Sequence, residues 1–360
     1  MILALNLKPS SLMILEHNFI SNTYFIFDRN LSAFLLVFCL IFSGCENEVD
    51  SLAKYSGAVM GTTYKVSISG SKGKINKSDI FSLLDSVDNE MSTYIPSSYL
   101  SQLNDTEVGT WLQASQNFLY VVSYSQELCV LTDGAFDISV GNIVNAWGFG
   151  PFEINFFPNK EIINKEKSQI GCNAIQIDLI NKSVRRKKDV YLDLSAVAKG
   201  FAIDLLAEYL DKLLVENYLI EIGGELRVKG NKPNGKPWVV GIEHPEQSAK
   251  TIFTIDTDLI KNFSLATSGN YRNYKKINEK VISHTFDPRS GLSIANKIAS
   301  VSIIDQSAMK SDALATTLNV LGLSKGLEFA NKNQISAFFV LNRKNNFLVI
   351  TSKEFDLLIN

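Results

Sequence analysis

The stretch 298-IASVSIIDQSAMKSDALATTLNVLGLSKGLEFANKNQISAFFVLNRKNNFLVIT-351 decides the fold class. Ile298 to Ile304, Ser336 to Leu341 and Phe347 to Thr351 read as strands, with one helix near Asp312 to Leu321 between the first two. Two strands then follow each other with no helix between them, so βαβ alternation is poor and a doubly wound sheet fits less well. Working outward, strands are expected at Ser264 to Thr267 and Thr251 to Ile255. Leu219 to Val228 and Trp238 to Ile242 read as a hairpin joined across Asn231 to Pro237, whose Pro-Asn-Gly centre is a turn signal. Helical spacing is clearest in Ser78 to Met91, where Ile80, Leu83, Leu84, Val87 and Met91 share a face and Ser78 is placed to cap. A second, less regular helix is expected over Trp111 to Leu131. A long one is expected over Ser195 to Leu214, with Val197, Phe201, Leu205, Tyr209 and Leu213 at every fourth position. Gly200 within it costs about 1 kcal/mol relative to alanine, so close packing is expected there. Asp133-Gly134 reads as a turn, with a strand over Ala135 to Val140 after it. Strands dominate and helices segregate, so the order predicts an α+β protein with mixed, largely antiparallel sheets and flanking helices.

At 360 residues, 46% hydrophobic and 20% charged, the chain can bury a large core. Its formal net charge of -2 supplies no field to gather nucleic acid, which is excluded as a partner class. The run Arg185 to Lys188 reads as a solvated hairpin turn. Leu31 to Phe42 has the length of a signal-peptide core, and Ser43-Gly44 before Cys45 reads as a lipobox. Residues 1–45 are therefore expected to be a signal ending in a lipidated cysteine, with an uncleaved N-terminal anchor the alternative, and 46–55 a polar tether. Residues 56–360 would be the folded body, exported and anchored to a bacterial membrane on its extracytoplasmic side. Cys129 and Cys172 remain for that body, either as a pair or as two buried small hydrophobes.

No P-loop, no G-x-G-x-x-G after a strand and no HExxH is present, so the chemistry must be sought in polar residues at helix starts and turns. Asp193-Leu194-Ser195-Ala196-Val197-Ala198-Lys199-Gly200 opens a helix, whose free N–H groups suit an anion. Lys199 can face a phosphate and a carbonyl near Ala196 a cation, or Asp193 and Ser195 are plain caps and Lys199 is solvated. Asp312 and Thr316, four apart, share a helical face that can hold a hard cation, unless the threonine only bonds back to its own helix. His284 stands beside the turn Asp287-Pro288-Arg289-Ser290-Gly291, which would fix a proton-transfer imidazole in place. A purely structural histidine is the alternative. His244 carries no expected role. Phe136 and Tyr94, beside glycine-bearing or polar turns, are either stacking surfaces or core.

Taken together and in order, MGTTY, MSTYIPSSYLSQLN, DGAFDISVG, DLSAVAKG, IEIGGEL, ATSGNY, HTFDPRSG and DALATTLNVLG resemble the ApbE family, the FAD:protein FMN transferases. The resemblance spans about Met60 to Gly322 and implies an ApbE-like α+β fold. It implies that Met60, Tyr94, Ala135, Phe136, Asp137, Asp193, Lys199 and Phe286 line FAD. It further implies Mg²⁺ held by the Ala196 carbonyl, Asp312 and Thr316, with FMN passing from FAD to a threonine or serine of a membrane redox subunit and AMP released. His284 is the expected general base. The same site would serve an FAD pyrophosphatase, or a lipoprotein that only binds flavin. Tyr99 departs from the family pattern, standing where an acidic residue is usual.

Overall fold

Alternating inward side chains build a central sheet. The computed structural model describes residues 52–70, 75–154, 156–269, 274–277, 280–343 and 346–359. Eight strands lie side by side in chain order: β1 (Leu52–Val59), β2 (Thr62–Ser69), β3 (Asn217–Ile222), β4 (Glu225–Lys229), β5 (Asn262–Gly269), β6 (Ile298–Asp305), β7 (Ser336–Arg343) and β8 (Asn346–Thr351). All seven pairings are antiparallel. On β2 Tyr64, Val66 and Ile68 are buried while Lys65 faces solvent, the period-two signature of a half-covered sheet. On β7 both faces are covered, Ala337 and Phe339 joining one core and Phe338 and Val340 the other.

Four helices cover the first face: α1 (Lys77–Met91), α2 (Gln116–Leu131), α3 (Ala198–Lys212) and α4 (Ala308–Lys332). The hairpin Val239–His244 with Gln247–Asp256 and the helix Lys353–Ile359 cover the second through Val240, Ile242, Ile255 and Phe355. The α+β expectation holds. Among the described residues no helix is long and apolar enough to cross a membrane. The signal segment, Cys45 and residues 46–51 of the expected tether lie outside the described residues. Its last four residues, from Leu52 on, already belong to β1.

Helices α3 and α4 cap each other. The Asp204 carboxylate of α3 accepts from Ser307 Oγ (2.6 Å), Ala308 N (2.9 Å) and Met309 N (3.0 Å) at the start of α4. In return Asp312 of α4 accepts from Gly200 N (3.2 Å) in the first turn of α3, satisfying an amide no helical carbonyl serves. This exchange needs the backbones in contact, and a Cβ at Gly200 would run into the Ala308 carbonyl. Gly200→Ala is therefore expected to lose about 1–3 kcal/mol of stability by overpacking, despite alanine's better helix propensity. Urea unfolding checks the sign; a more stable variant would contradict this packing.

Several sequence expectations are corrected. Ala135 to Val140 is not a strand: the Asp137 carboxylate accepts from Ser139 N (2.8 Å) and Oγ (2.7 Å) and starts a 3₁₀ turn, Ile138–Val140, that runs into the helix Gly141–Ala146. Helix α2 begins only at Gln116, capped by Ser115, because Leu112–Gln113 pairs as a short strand with Ser183–Arg186. α1 begins at Lys77, before Ser78. α3 starts at Ala198, and its buried residues include Ala198, Phe201, Ala202, Leu206 and Leu210, whereas Leu213 is 46% exposed. A strict every-fourth stripe drifts around a helix of 3.6 residues per turn. The expected hairpin across Asn231 to Pro237 resolves into two: β3 with β4, and Val239–His244 with Gln247–Asp256. Arg185 and Arg186 are not at a turn tip. Arg186 is buried, donating to the Val190 and Thr106 carbonyls, and Arg185 lies over the Trp111 ring. Cys129 and Cys172 form a disulfide.

Candidate functional site

Six segments converge on a cleft of about 320 Å³. They are Ala135 to Ile138 after α2, Asp193 to Lys199 entering α3, Gly223 and Glu225 at the β3–β4 turn, Thr267 to Gly269 ending β5, His284 to Pro288, and Asp312 with Thr316 on α4. Of the residues expected at the site, Ala135, Phe136, Asp137, Asp193, Ala196, Lys199, His284, Phe286, Asp312 and Thr316 all line it. Asn270 and Tyr271 of the ATSGNY segment lie outside the described residues.

Met60 and Tyr94 do not line this cleft. Met60 occupies the tight β1–β2 turn with φ 50° and donates its N–H to Asp88 Oδ2 (3.0 Å). Thr62, at the end of the same turn, sits against Gly223 of the cleft wall. Tyr94 is 64% exposed and its hydroxyl donates to the Phe149 carbonyl (2.9 Å). The Phe149 ring meets Phe286 edge-on at 5.7 Å, and Trp147 stacks on Phe286 at 6.1 Å, so Tyr94 is tied to the aromatic cluster behind the cleft. Tyr99 packs edge-on against Phe118 (4.7 Å) and is not a lining residue.

Local chemistry fixes the polar groups. Asp193 Oδ1 accepts from Ser195 N (2.8 Å), bending the chain into α3. The Asp287 carboxylate takes Arg289 N (3.0 Å), Nε (2.8 Å) and Nη2 (2.8 Å), and Gly291 N reaches the Asp287 carbonyl (2.8 Å). That turn, closed by the Phe286–Asp287 and Leu292–Ser293 pairing, holds the His284 segment as its sequence implied. The two adjacent threonines of α4 behave differently. Thr317 bonds back to the Ala313 carbonyl (2.7 Å), while Thr316 finds no protein partner among the described residues and faces the cleft.

Lys199 Nζ lies 3.3 Å from Glu225 Oε1, 3.4 Å from the Ser195 carbonyl and 3.9 Å from Asp312 Oδ2. Burial works against its charge, but Asp312, Glu225 and Asp193 outweigh burial and hold the ammonium above the ordinary lysine value. Burial raises the Asp312 carboxyl, opposed by Lys199 and the Gly200 N–H. It also raises Asp137, opposed by Ser139. Burial pushes Glu225 up to about 7, again against Lys199. Glu225 was missed as a site residue in the sequence. Its signal is an acid placed directly after the Gly223-Gly224 turn, both glycines at positive φ, on a strand that otherwise carries apolar residues inward.

The residues fit a hard divalent ion. Ala196 carbonyl, Asp312 carboxylate and Thr316 hydroxyl are oxygen donors on one cleft, and the hydroxyl has no partner among the described residues. Among the described residues the lining carries four carboxyl groups, Asp137, Asp193, Glu225 and Asp312, and one ammonium, Lys199.

An antiparallel α+β scaffold carries this cleft, which sets oxygen donors beside aromatic rings. The chain belongs to the ApbE family, whose model matches residues 60–339. It is 36% identical over 327 residues to a Haemophilus influenzae protein named FAD:protein FMN transferase, covering 88% of this chain and 94% of that one. A Vibrio cholerae protein of the same name is 35% identical over 325 residues, covering 88% and 95%. Among solved structures, the flavin transferase ApbE from Vibrio cholerae superposes with a TM-score of 0.77 at 34% identity, covering 86% of this chain and 99% of its own. The apo form of the Pseudomonas stutzeri flavinyl transferase ApbE gives 0.78 at 33%, covering 86% and 97%.

Proposed function

We propose that this protein transfers FMN from FAD to a threonine or serine hydroxyl of a target protein, with Mg²⁺ as cofactor and AMP as the leaving product. The observation that carries the reading is the charge of the cleft. Among the described residues the four lining carboxyls outnumber the one lysine, a setting that disfavours a pyrophosphate until a divalent ion is bound, and the Ala196, Asp312 and Thr316 oxygens are the donors to hold one. When bound, Mg²⁺ supplies neutralisation of the charge that develops on the phosphoryl oxygens and on departing AMP.

The remaining roles fall to the chain itself. Phe136 and Phe286 present aromatic surface to the flavin, and Asp137, Asp193 and Lys199 orient its polar arm. Tyr94 supports the aromatic wall through the Phe149 carbonyl. His284 accepts the acceptor hydroxyl's proton as its oxygen bonds to the FMN-side phosphorus and the bond to the AMP oxygen breaks.

Detergent-solubilised full-length chain, FAD, Mg²⁺ and a threonine-bearing acceptor are mixed, and acceptor mass and AMP are measured. One AMP per acceptor made heavier by an FMN group supports transfer. Free FMN with AMP and an unmodified acceptor identifies a hydrolase, and intact FAD rejects both.

The chain is further proposed to be exported and anchored through a lipid on Cys45, facing an acceptor in a membrane redox subunit. Cys45→Ser should move the protein from the membrane to the soluble fraction on cell fractionation. Retention at the membrane would refute the anchor.

A further inference from the structure

The pairing of Lys199 is lopsided in a way that bears on ion binding. Its ammonium reaches two carboxylates, and the shorter contact is to Glu225 (3.3 Å), the longer to Asp312 (3.9 Å). A direct ammonium–carboxylate bond is about 2.7–2.9 Å; both contacts exceed it, and the one to Asp312 by the wider margin. Glu225 is 7% exposed, and its Oε2 has no hydrogen-bond partner among the described residues. Leaving a buried carboxylate oxygen unpaired is costly, and a neutral side chain of the same shape would avoid the cost. It follows the Gly223-Gly224 turn, which brings its side chain to the cleft wall.

The competing arrangement is easy to name. Lys199 and Asp312 sit on adjoining helices, with Asp312 already bonded to the amide of Gly200 next to Lys199. Without a counter-charge on the β4 side, the ammonium would swing onto Asp312 and occupy a carboxylate that a cation needs.

We propose that Glu225 is a positioning residue that draws the Lys199 ammonium away from Asp312 and so keeps that carboxylate open to a divalent ion. This rests on the Mg²⁺ reading above. Glu225 acts through Lys199, and removing Lys199 must therefore abolish the effect of removing Glu225.

Mg²⁺ binding to the detergent-solubilised full chain is measured by calorimetry, and Mn²⁺ binding by the loss of its free-ion EPR signal. Glu225→Gln is expected to weaken both about tenfold, within the range of couplings between neighbouring residues. Lys199→Met should bind within about threefold of the parent, and the double variant Lys199→Met/Glu225→Gln should match Lys199→Met, a coupling near the full single-variant effect. Unchanged affinity in Glu225→Gln overturns the proposal. So does an equal weakening in the Lys199→Met background, which would mean that only the lost negative charge mattered. Lys199→Met alone, which remains informative if Glu225→Gln misfolds, overturns it by binding tenfold tighter, since the ammonium would then have been seated on Asp312. Asp312→Ala separates this from the underlying reading: if it binds the ions as the parent does, the ion site itself is wrong and the proposal falls with it.

Discussion

Asp312→Ala is expected to abolish the stimulation of FAD turnover by Mg²⁺, lowering the rate at saturating ion by about 10² to 10³-fold or more. The donor set offers one carboxylate, one hydroxyl and one carbonyl, and removing the carboxylate leaves two neutral oxygens, a poor site for an ion that gives up its water reluctantly. A cation at a phosphoryl oxygen contributes several kcal/mol of charge stabilisation, and each 1.36 kcal/mol is a factor of ten. The substitution has a second consequence, because the same carboxylate accepts the Gly200 N–H at the start of α3. Losing such a cap costs about 0.5–2 kcal/mol, so some loss of stability accompanies the loss of turnover. Asp312→Asn separates the two effects. Its side-chain oxygen can still take the Gly200 amide while the charge is gone, so it should melt closer to the parent and yet fail to respond to Mg²⁺. Measured rates against Mg²⁺ for the three proteins decide the matter, and undiminished stimulation in both variants would remove Asp312 from the ion site.

How far the sequence carried depends on the range of the interaction being read. Helix α1 and strands β6 to β8 were legible because periodicity is local: Ile80, Leu84 and Val87 repeat on one helical face, and Ala337, Phe338, Phe339 and Val340 alternate between two cores. Ala135 to Val140 was misread because its apolar alternation is overridden by one side chain, Asp137, capping the 3₁₀ turn through Ser139. The basic run misled for a related reason. Arg186 is buried against carbonyls at Thr106 and Val190, the former 80 residues away, and such a partner leaves no mark in the local sequence. Most residues expected at the site from turns and helix starts, the Asp312 and Thr316 pair among them, line the cleft, whereas Met60 and Tyr94 do not. Glu225 was missed, because its meaning comes from Lys199 across the cleft, 26 positions earlier in the chain and on a different element.

His284→Ala is expected to slow transfer by about 10² to 10⁴-fold while FAD binding changes little, the signature of losing a general base and not a binding contact. The argument for retained binding is geometric. His284 is one of many lining residues, and the aromatic wall at Phe136 and Phe286, the Lys199 ammonium and the Asp312 region belong to other elements or to the far side of its turn. The turn should also survive, because Asp287 with Arg289, the Gly291 amide and the Phe286–Asp287 strand pairing hold it without the imidazole. A histidine kept only for structure would show the opposite pattern, with stability lost and the residual rate per folded molecule near parental. One further measurement discriminates. Added imidazole should restore part of the rate, since the cavity left by the side chain opens on the cleft. Transfer at the parental rate by a folded His284→Ala protein would show that the acceptor hydroxyl loses its proton elsewhere, with the cleft's carboxylates the next groups to examine.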